Sequence, residues 1–205
     1  MTTIAVIDYG MGNLHSVGKA LEKVSSSHSI VVTSDSDLIN KADKIVLPGV
    51  GSIQDCMNAL SKEGMYKTVI QNISSKPTLA ICVGMQMLLK SSEENSGTEG
   101  LGIMDGVSKL FKFSDSVKVP HMGWNKVKQI LDHHMWQDIP NDSYFYFVHS
   151  YACRESLHSV GVSHHGQDFI SAFSKGNIFA VQFHPEKSQE VGLQLYKNFI
   201  SWKGI

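Results

Sequence analysis

Cysteine is scarce: Cys56, Cys82 and Cys153 are the only three in 205 residues. Their scattered spacing supplies neither a disulfide framework nor a zinc knuckle. Long apolar runs are missing as well. A bilayer-spanning helix needs ~20 consecutive apolar residues, and here Gln, Lys or Asp interrupts every run well short of that. Met1–Asp8 has no basic region and too short an apolar segment for a secretory signal. Nor is there an excess of one charge. Against 18 Lys and Arg stand 19 Asp and Glu, giving a net charge of −1, so nucleic acid meets no basic field. These absences argue against secretion, a membrane or a nucleic-acid partner. What is present, 42% hydrophobic residues, suffices for a real core. The expectation is one compact cytoplasmic domain over residues 1–205.

The first half alternates β-branched runs with helical periods. Ile4–Ile7, Ile30–Val32, Lys44–Leu47 and Thr78–Ile81 read as buried strands. Leu14, Val17, Leu21 and Val24 recur at helical spacing, a helix is expected over residues 54–73, and another from Cys82 or Val83. Strand–helix alternation predicts an α/β fold, with a mostly parallel central sheet and flanking helices. In the second half Val107–Phe113, Asn125–Gln129, Tyr144–His149, Gly161–Ser163, Ile170–Ser174 and Ile178–Phe183 are short strand-like runs. They predict a smaller antiparallel or mixed extension before a last helix over residues 188–202. Ser91–Thr98 is the most loop-like stretch and reads as a surface excursion.

Several patterns could carry chemistry. Gly10-Met-Gly12 after a strand lacks the third glycine of a dinucleotide fingerprint, because His15 stands in its place. The adjacent pairs His133-His134 and His164-His165 diverge on any regular element and offer a metal one ligand each at most. No metal is expected. Cys82 differs. In Ala80-Ile-Cys-Val-Gly84 an apolar strand runs into a helix through the layout of a nucleophile elbow, with cysteine where G-x-S-x-G has serine. Such a turn lifts the side chain above the carboxyl edge of the sheet and sets the sulfur at a helix amino terminus, which favours thiolate. Read by itself, Cys82 is equally a buried structural cysteine. A second strand end carries His184-Pro-Glu186, where the histidine could exchange a proton with the thiol and the carboxylate could orient the ring. Pro48-Gly-Val-Gly51 ends a third strand. Its glycines allow N–H groups to approach an anion, and as readily form an ordinary turn.

Taken in order and spacing, Pro48–Gly51, Cys82-Val-Gly-Met-Gln86 and His184-Pro-Glu186 resemble the class I, or triad, glutamine amidotransferases. Asp8-Tyr-Gly-Met-Gly-Asn13, Val119–Asn125, Tyr146–Tyr151 and Phe183–Ser188 are similar to one branch of that family, the glutaminase subunits of imidazole glycerol phosphate synthase in histidine biosynthesis. The resemblance extends from residue 4 to the terminal helix and implies the flavodoxin-like fold of that family.

It also implies roles. Cys82 would be the nucleophile, His184 the base and acid, and Glu186 its orienter. An oxyanion hole would come from Gly49, Val50 and Gly51 with the N–H of Val83. Gln86 and His149-Ser150-Tyr151 would hold L-glutamine. The implied partner is a (β/α)8-barrel cyclase in a heterodimer. Such a barrel needs ~250 residues, so it is expected on another polypeptide, docked on a face that includes His121, Met122, Trp124 and Lys187. No metal or organic cofactor is implied. Ala80 and Val83 depart from the family's usual glycine and leucine, and neither change removes a reacting atom. Two rival readings are a related glutaminase that feeds amidine formation on a surface sugar, and a binding module with a degenerate site.

Overall fold

A computed structural model describes residues 2–25, 27–113 and 117–204. In its first half β1 (Thr3–Ile7), α1 (Leu14–Val24), β2 (Ser29–Thr33), α2 (Ser36–Lys41), β3 (Lys44–Leu47), α3 (Ile53–Lys62), α4 (Tyr66–Ile73), β4 (Thr78–Ile81) and α5 (Val83–Met87) follow one another. The second half holds β5 (Ser91–Ser92), β6 (Thr98–Glu99), β7 (Val107–Leu110), β8 (His121–Gln129), β9 (Ser143–His149), β10 (Tyr151–Cys153), β11 (Ser159–His164), β12 (Asp168–Lys175), β13 (Ile178–Val181) and α6 (Gln189–Ser201).

Among the described residues the main sheet has nine strands in the order β2-β1-β3-β4-β13-β12-β11-β8-β9. The five from β2 to β13 are parallel neighbours, and from β13 to β9 each pair is antiparallel. The expected extension thus continues the same sheet, and a separate small sheet, β10-β7-β5-β6, lies beside it. Strands β1, β3, β4 and β13 are covered on both faces, which is why they are apolar at nearly every position rather than alternating. Right-handed crossovers and the reversal of direction after β2 send α1 to one face, where it meets α6, and α2 to the other, where it meets α4.

Three sequence expectations change. The helix predicted over 54–73 is two helices, broken where Gly64 takes a φ of +67°, a left-handed turn that L side chains rarely adopt. Helix α2 was not expected. It is six residues long and only Ile39 of it is buried, so its apolar period is too brief to read; its Asp35 cap, which accepts from Asp37 N at 2.8 Å, is the sign that was available. The strand expected from Asn125 begins four residues earlier, at His121, and pairs with β9 from His121 to Val127.

The fold matters to function through one arrangement. The carboxyl ends of β1, β3, β4 and β13, neighbours in the sheet, open onto a common edge at the point where the strand order reverses. Phe183, fully buried just beyond β13, stacks on Phe145 at 4.0 Å and meets the edge of Phe147 at 5.6 Å. That contact fixes where the following residue, His184, emerges. Phe183→Ala should lower the unfolding free energy by about 3–5 kcal/mol, the cost of a core cavity; a urea titration showing a loss below about 1 kcal/mol would contradict this account of the core.

Candidate active site

Cys82 ends β4 with φ 54° and ψ −111°, an unfavourable conformation for a residue with a side chain. Backbone packing enforces it. A Cβ on Gly84 would lie 2.1 Å from the Leu47 carbonyl oxygen, and one on Gly49 would lie 2.6 Å from Gly84 N. Only glycines let the β3 loop and the start of α5 approach this closely. Ala80, which stands where the family has glycine, is fully buried between its sheet partners Leu47 and Ala180. Its methyl is accommodated in the sheet.

His184 lies one strand over. Its N–H donates to the Tyr146 carbonyl at 2.9 Å, and its own carbonyl accepts from Ser188 Oγ at 2.6 Å. Imidazole Nδ1 lies 2.8 Å from Glu186 Oε1, and both side chains are almost wholly buried, at 3% and 1% exposure. Asn13 Nδ2 donates to the same carboxylate oxygen at 3.4 Å. Nε2 has no partner within the normal hydrogen-bond limits and adjoins the Cys82 thiol. Burial acts to lower the His184 pKa, but Cys82 on one side and Glu186 on the other overcome it and push it up to about 10. The imidazole is therefore held as a proton carrier between sulfur and carboxylate. The two strand ends, 102 positions apart in the chain, meet at one cavity.

They open on a cavity of about 490 Å³. Val50, Gly51, Cys82, Val83, Gln86, His149, Ser150 and Tyr151 line it, with Lys187 and Pro120. Gln86 Nε2 donates to the Tyr151 carbonyl at 3.0 Å and to Gln182 Oε1 at 3.1 Å, which ties α5 to β10 and β13. Two lining residues with chemically active side chains escaped the sequence reading. Glu94 is the one carboxylate lining the cavity among the described residues; it belongs to the segment read as a surface excursion, and Glu94 Oε2 accepts from Ile53 N at 2.9 Å. Asn13 is the other; its motif was noted but given no role. Nothing in the local pattern distinguished Glu94 from the neighbouring Glu93.

The Val83 N–H, an expected oxyanion donor, is occupied. It donates to the Gly49 carbonyl at 3.3 Å. The chain's own backbone oxygen thus takes up that N–H.

His121 departs from its expected place. On β8, Met122 and Trp124 are 63% and 46% exposed, whereas His121 is only 5% exposed. Pairing with β9 sets the alternation, and His121 falls on the inward side. There it meets His149 at 2.9 Å (Nδ1 to Nε2) and stacks on His165. The Tyr151 carbonyl, 2.9 Å from His149 Nδ1, can only accept. His149 Nδ1 therefore carries the proton, its Nε2 accepts from His121 Nδ1, and His121 Nε2 accepts from Asn125 Nδ2 at 3.1 Å. Lys187 is exposed, its ammonium 5.7 Å from the Tyr146 ring centre.

The family model for glutamine amidotransferase class-I matches residues 5–202. Imidazole glycerol phosphate synthase subunit HisH of Pseudomonas putida is 50% identical over 211 residues, covering 100% of this chain and 99% of that protein. Its counterpart of the same name from Acinetobacter baylyi is 53% identical over 205 residues, covering 98% and 99%. Among solved structures, PurLQS from Thermotoga maritima superposes with a TM-score of 0.70 at 17% identity, covering 97% of each chain. That likeness bears on the fold alone.

Burial and the neighbouring imidazoles hold both inward histidines neutral: His121 is lowered to about 4 and His149 to about 3. The unfolded chain takes up these protons near the ordinary 6.5 while the fold refuses them, so stability falls as pH drops below 6.5. The slope approaches about 1.4 kcal/mol per pH unit for each ring. His184 does not offset this, because its raised value gives stability already complete below 6.5 and lost only as pH rises toward 10. Urea unfolding at about pH 7 and about pH 5 should show the loss; ring NMR signals that titrate near 6.5 in the folded chain would contradict it.

Proposed function

The chain belongs to the class-I glutamine amidotransferase family, and from that premise we infer that it is the glutaminase subunit of imidazole glycerol phosphate synthase. One observation carries the reading: Cys82 and His184 line one cavity, and behind them the buried Glu186 Oε1 lies 2.8 Å from His184 Nδ1. Residues 1–205 act as one glutamine amidotransferase domain.

The substrate is L-glutamine. With its proton held on His184, the Cys82 sulfur attacks the side-chain carboxamide carbon. The tetrahedral oxyanion is received by backbone N–H groups of the Val50 loop and Val83. His184 returns the proton to the departing nitrogen, the C–N bond breaks, and ammonia leaves a glutamyl thioester. Water, deprotonated by the same imidazole, attacks the thioester carbon. The C–S bond breaks, releasing glutamate, and the proton taken from water stays on His184 beside the freed sulfur. Glu186 keeps Nδ1 protonated and the ring oriented throughout. Gln86 and residues 149–151 shape the site around the amino acid, and Glu94 suits its α-ammonium. Nothing in this sequence of steps calls for a metal or an organic cofactor.

The oxyanion step requires one change. With the Gly49 carbonyl on the Val83 N–H, the hole is filled from within. Turning the Gly49–Val50 peptide would withdraw that oxygen and present the Val50 N–H instead. Gly49 has no side chain to resist the turn, and Gly51, at φ +83°, closes the loop in a conformation suited to glycine. Docking of the partner selects the productive orientation.

That partner is a (β/α)8-barrel cyclase, held as a heterodimer on the face where Met122 and Trp124 are exposed beside Tyr144, itself 53% exposed. Trp124 meets the edge of Tyr146 at 6.0 Å, and Lys187 joins this face to the cavity mouth. Large aromatic groups around a basic side chain make good interface anchors. His121 contributes from beneath the face, through His149, and not by direct contact.

In the complex, Cys82→Ala should abolish synthesis driven by glutamine and leave synthesis driven by ammonium salts near the wild-type rate. Equal loss of both, with the complex still assembled, would overturn this division of labour.

A further inference from the structure

We propose that Tyr9 and Cys56 are positioning residues that pin the two peptides flanking the Gly49–Val50 peptide, so that this single peptide turns while its neighbours stay fixed. The inference rests on the proposed role of the loop in receiving the oxyanion. Tyr9 follows β1 and its hydroxyl donates to the Pro48 carbonyl at 2.6 Å. Cys56 lies in the first turns of α3 and its thiol donates to the Val50 carbonyl at 3.3 Å. One oxygen belongs to the peptide before the movable one, the other to the peptide after it. Between them, the Gly49 carbonyl is met by no side chain among the described residues, only by the long 3.3 Å bond from Val83 N.

Both anchoring side chains are fully buried, Tyr9 at 1% and Cys56 at 0% exposure, and neither lines the cavity. They therefore act on the loop and not on substrate. Each is held in its protonated, donating form, since burial pushes the Cys56 thiol up to about 11 and the Tyr9 phenol well above its ordinary range. The clamp needs this, because a thiolate or phenolate facing a carbonyl oxygen would repel it. Tyr9 also stands 3.0 Å from where a Cβ on Gly49 would be, so the same hydroxyl that fixes Pro48 lies against the pivot. A buried cysteine with no disulfide partner among the described residues and a buried tyrosine thereby acquire a purpose that packing alone does not give them: a crankshaft rotation needs fixed bearings at both ends.

The test uses the complex with the cyclase and its nucleotide ligand, in wild type, Tyr9→Phe, Cys56→Ala and Cys56→Ser. Each removal of a donor should lower the ligand-stimulated kcat for glutamine hydrolysis about two- to tenfold, the factor set by the net worth of one hydrogen bond. KM should stay within about twofold, because substrate contacts are untouched. Serine at 56 should recover most of the loss, since a hydroxyl also donates to Val50. Amide NMR signals report the loop itself. In wild type, Val50 should shift between the free chain and the liganded complex while Gly49 and Gly51 move little; in the variants Gly49 or Gly51 should shift or broaden as well. Wild-type kcat and quiet flanking signals in Tyr9→Phe and Cys56→Ala would overturn the clamp alone. A Val50 signal that stays fixed in the wild type would overturn the reading of the loop on which the clamp rests. Should Tyr9→Phe fail to fold, the alanine–serine pair at Cys56 decides the matter by itself.

Discussion

Everything in the site depends on one close approach of backbone to backbone, between the loop after β3 and the first turn of α5. The gap admits no side chain at Gly84 or Gly49. It forces Cys82 into its positive-φ conformation, lifting the sulfur toward His184, and it brings the Gly49 carbonyl within reach of the Val83 N–H. The placement of the Cys82 sulfur and the occupation of the Val83 N–H are thus two consequences of a single contact. Strain of this kind persists only where the surroundings over-determine it, and here four adjoining parallel strands supply the frame.

Polar groups around the site are arranged so that each has one available role. The Tyr151 carbonyl sets the tautomer of His149, which sets that of His121, and Asn125 closes the series. Because the rings are neutral and directed, β8, which carries Met122 and Trp124 on its outer side, is joined through hydrogen bonds to the segment that lines the cavity. The same Tyr151 carbonyl also accepts from Gln86. The proposed docking face and the cavity wall are thus two sides of one pair of strands.

Much of this was legible in the sequence because the chemistry sits at strand ends, and buried parallel strands advertise themselves as short apolar runs. Ile4–Ile7, Lys44–Leu47 and Thr78–Ile81 are such runs, and the residues after the last two are the Gly49–Gly51 loop and Cys82. His184-Pro-Glu186 stood out because two residues of spacing suffice to bring carboxylate and ring together. Other features depend on tertiary partners and leave no local trace. The inward turn of His121 follows from its register with β9. Gly64 lies within an apolar period that continues on either side of it, so its break of the helix does not show. Glu94 reaches the cavity because a 3-10 turn in a polar stretch happens to fold against α3. The orientation of the Gly49 carbonyl is a backbone state, and any of several states suits the same four letters.

The central claim is that the triad is assembled while the oxyanion hole is not. The most direct test is the rate of glutamine hydrolysis by the purified chain alone, set against the rate in the complex with the cyclase and its nucleotide ligand. Absence of an oxyanion donor predicts a rate for the chain alone lower by about 10²–10³, with Cys82 and His184 intact in both. Equal rates would contradict the claim.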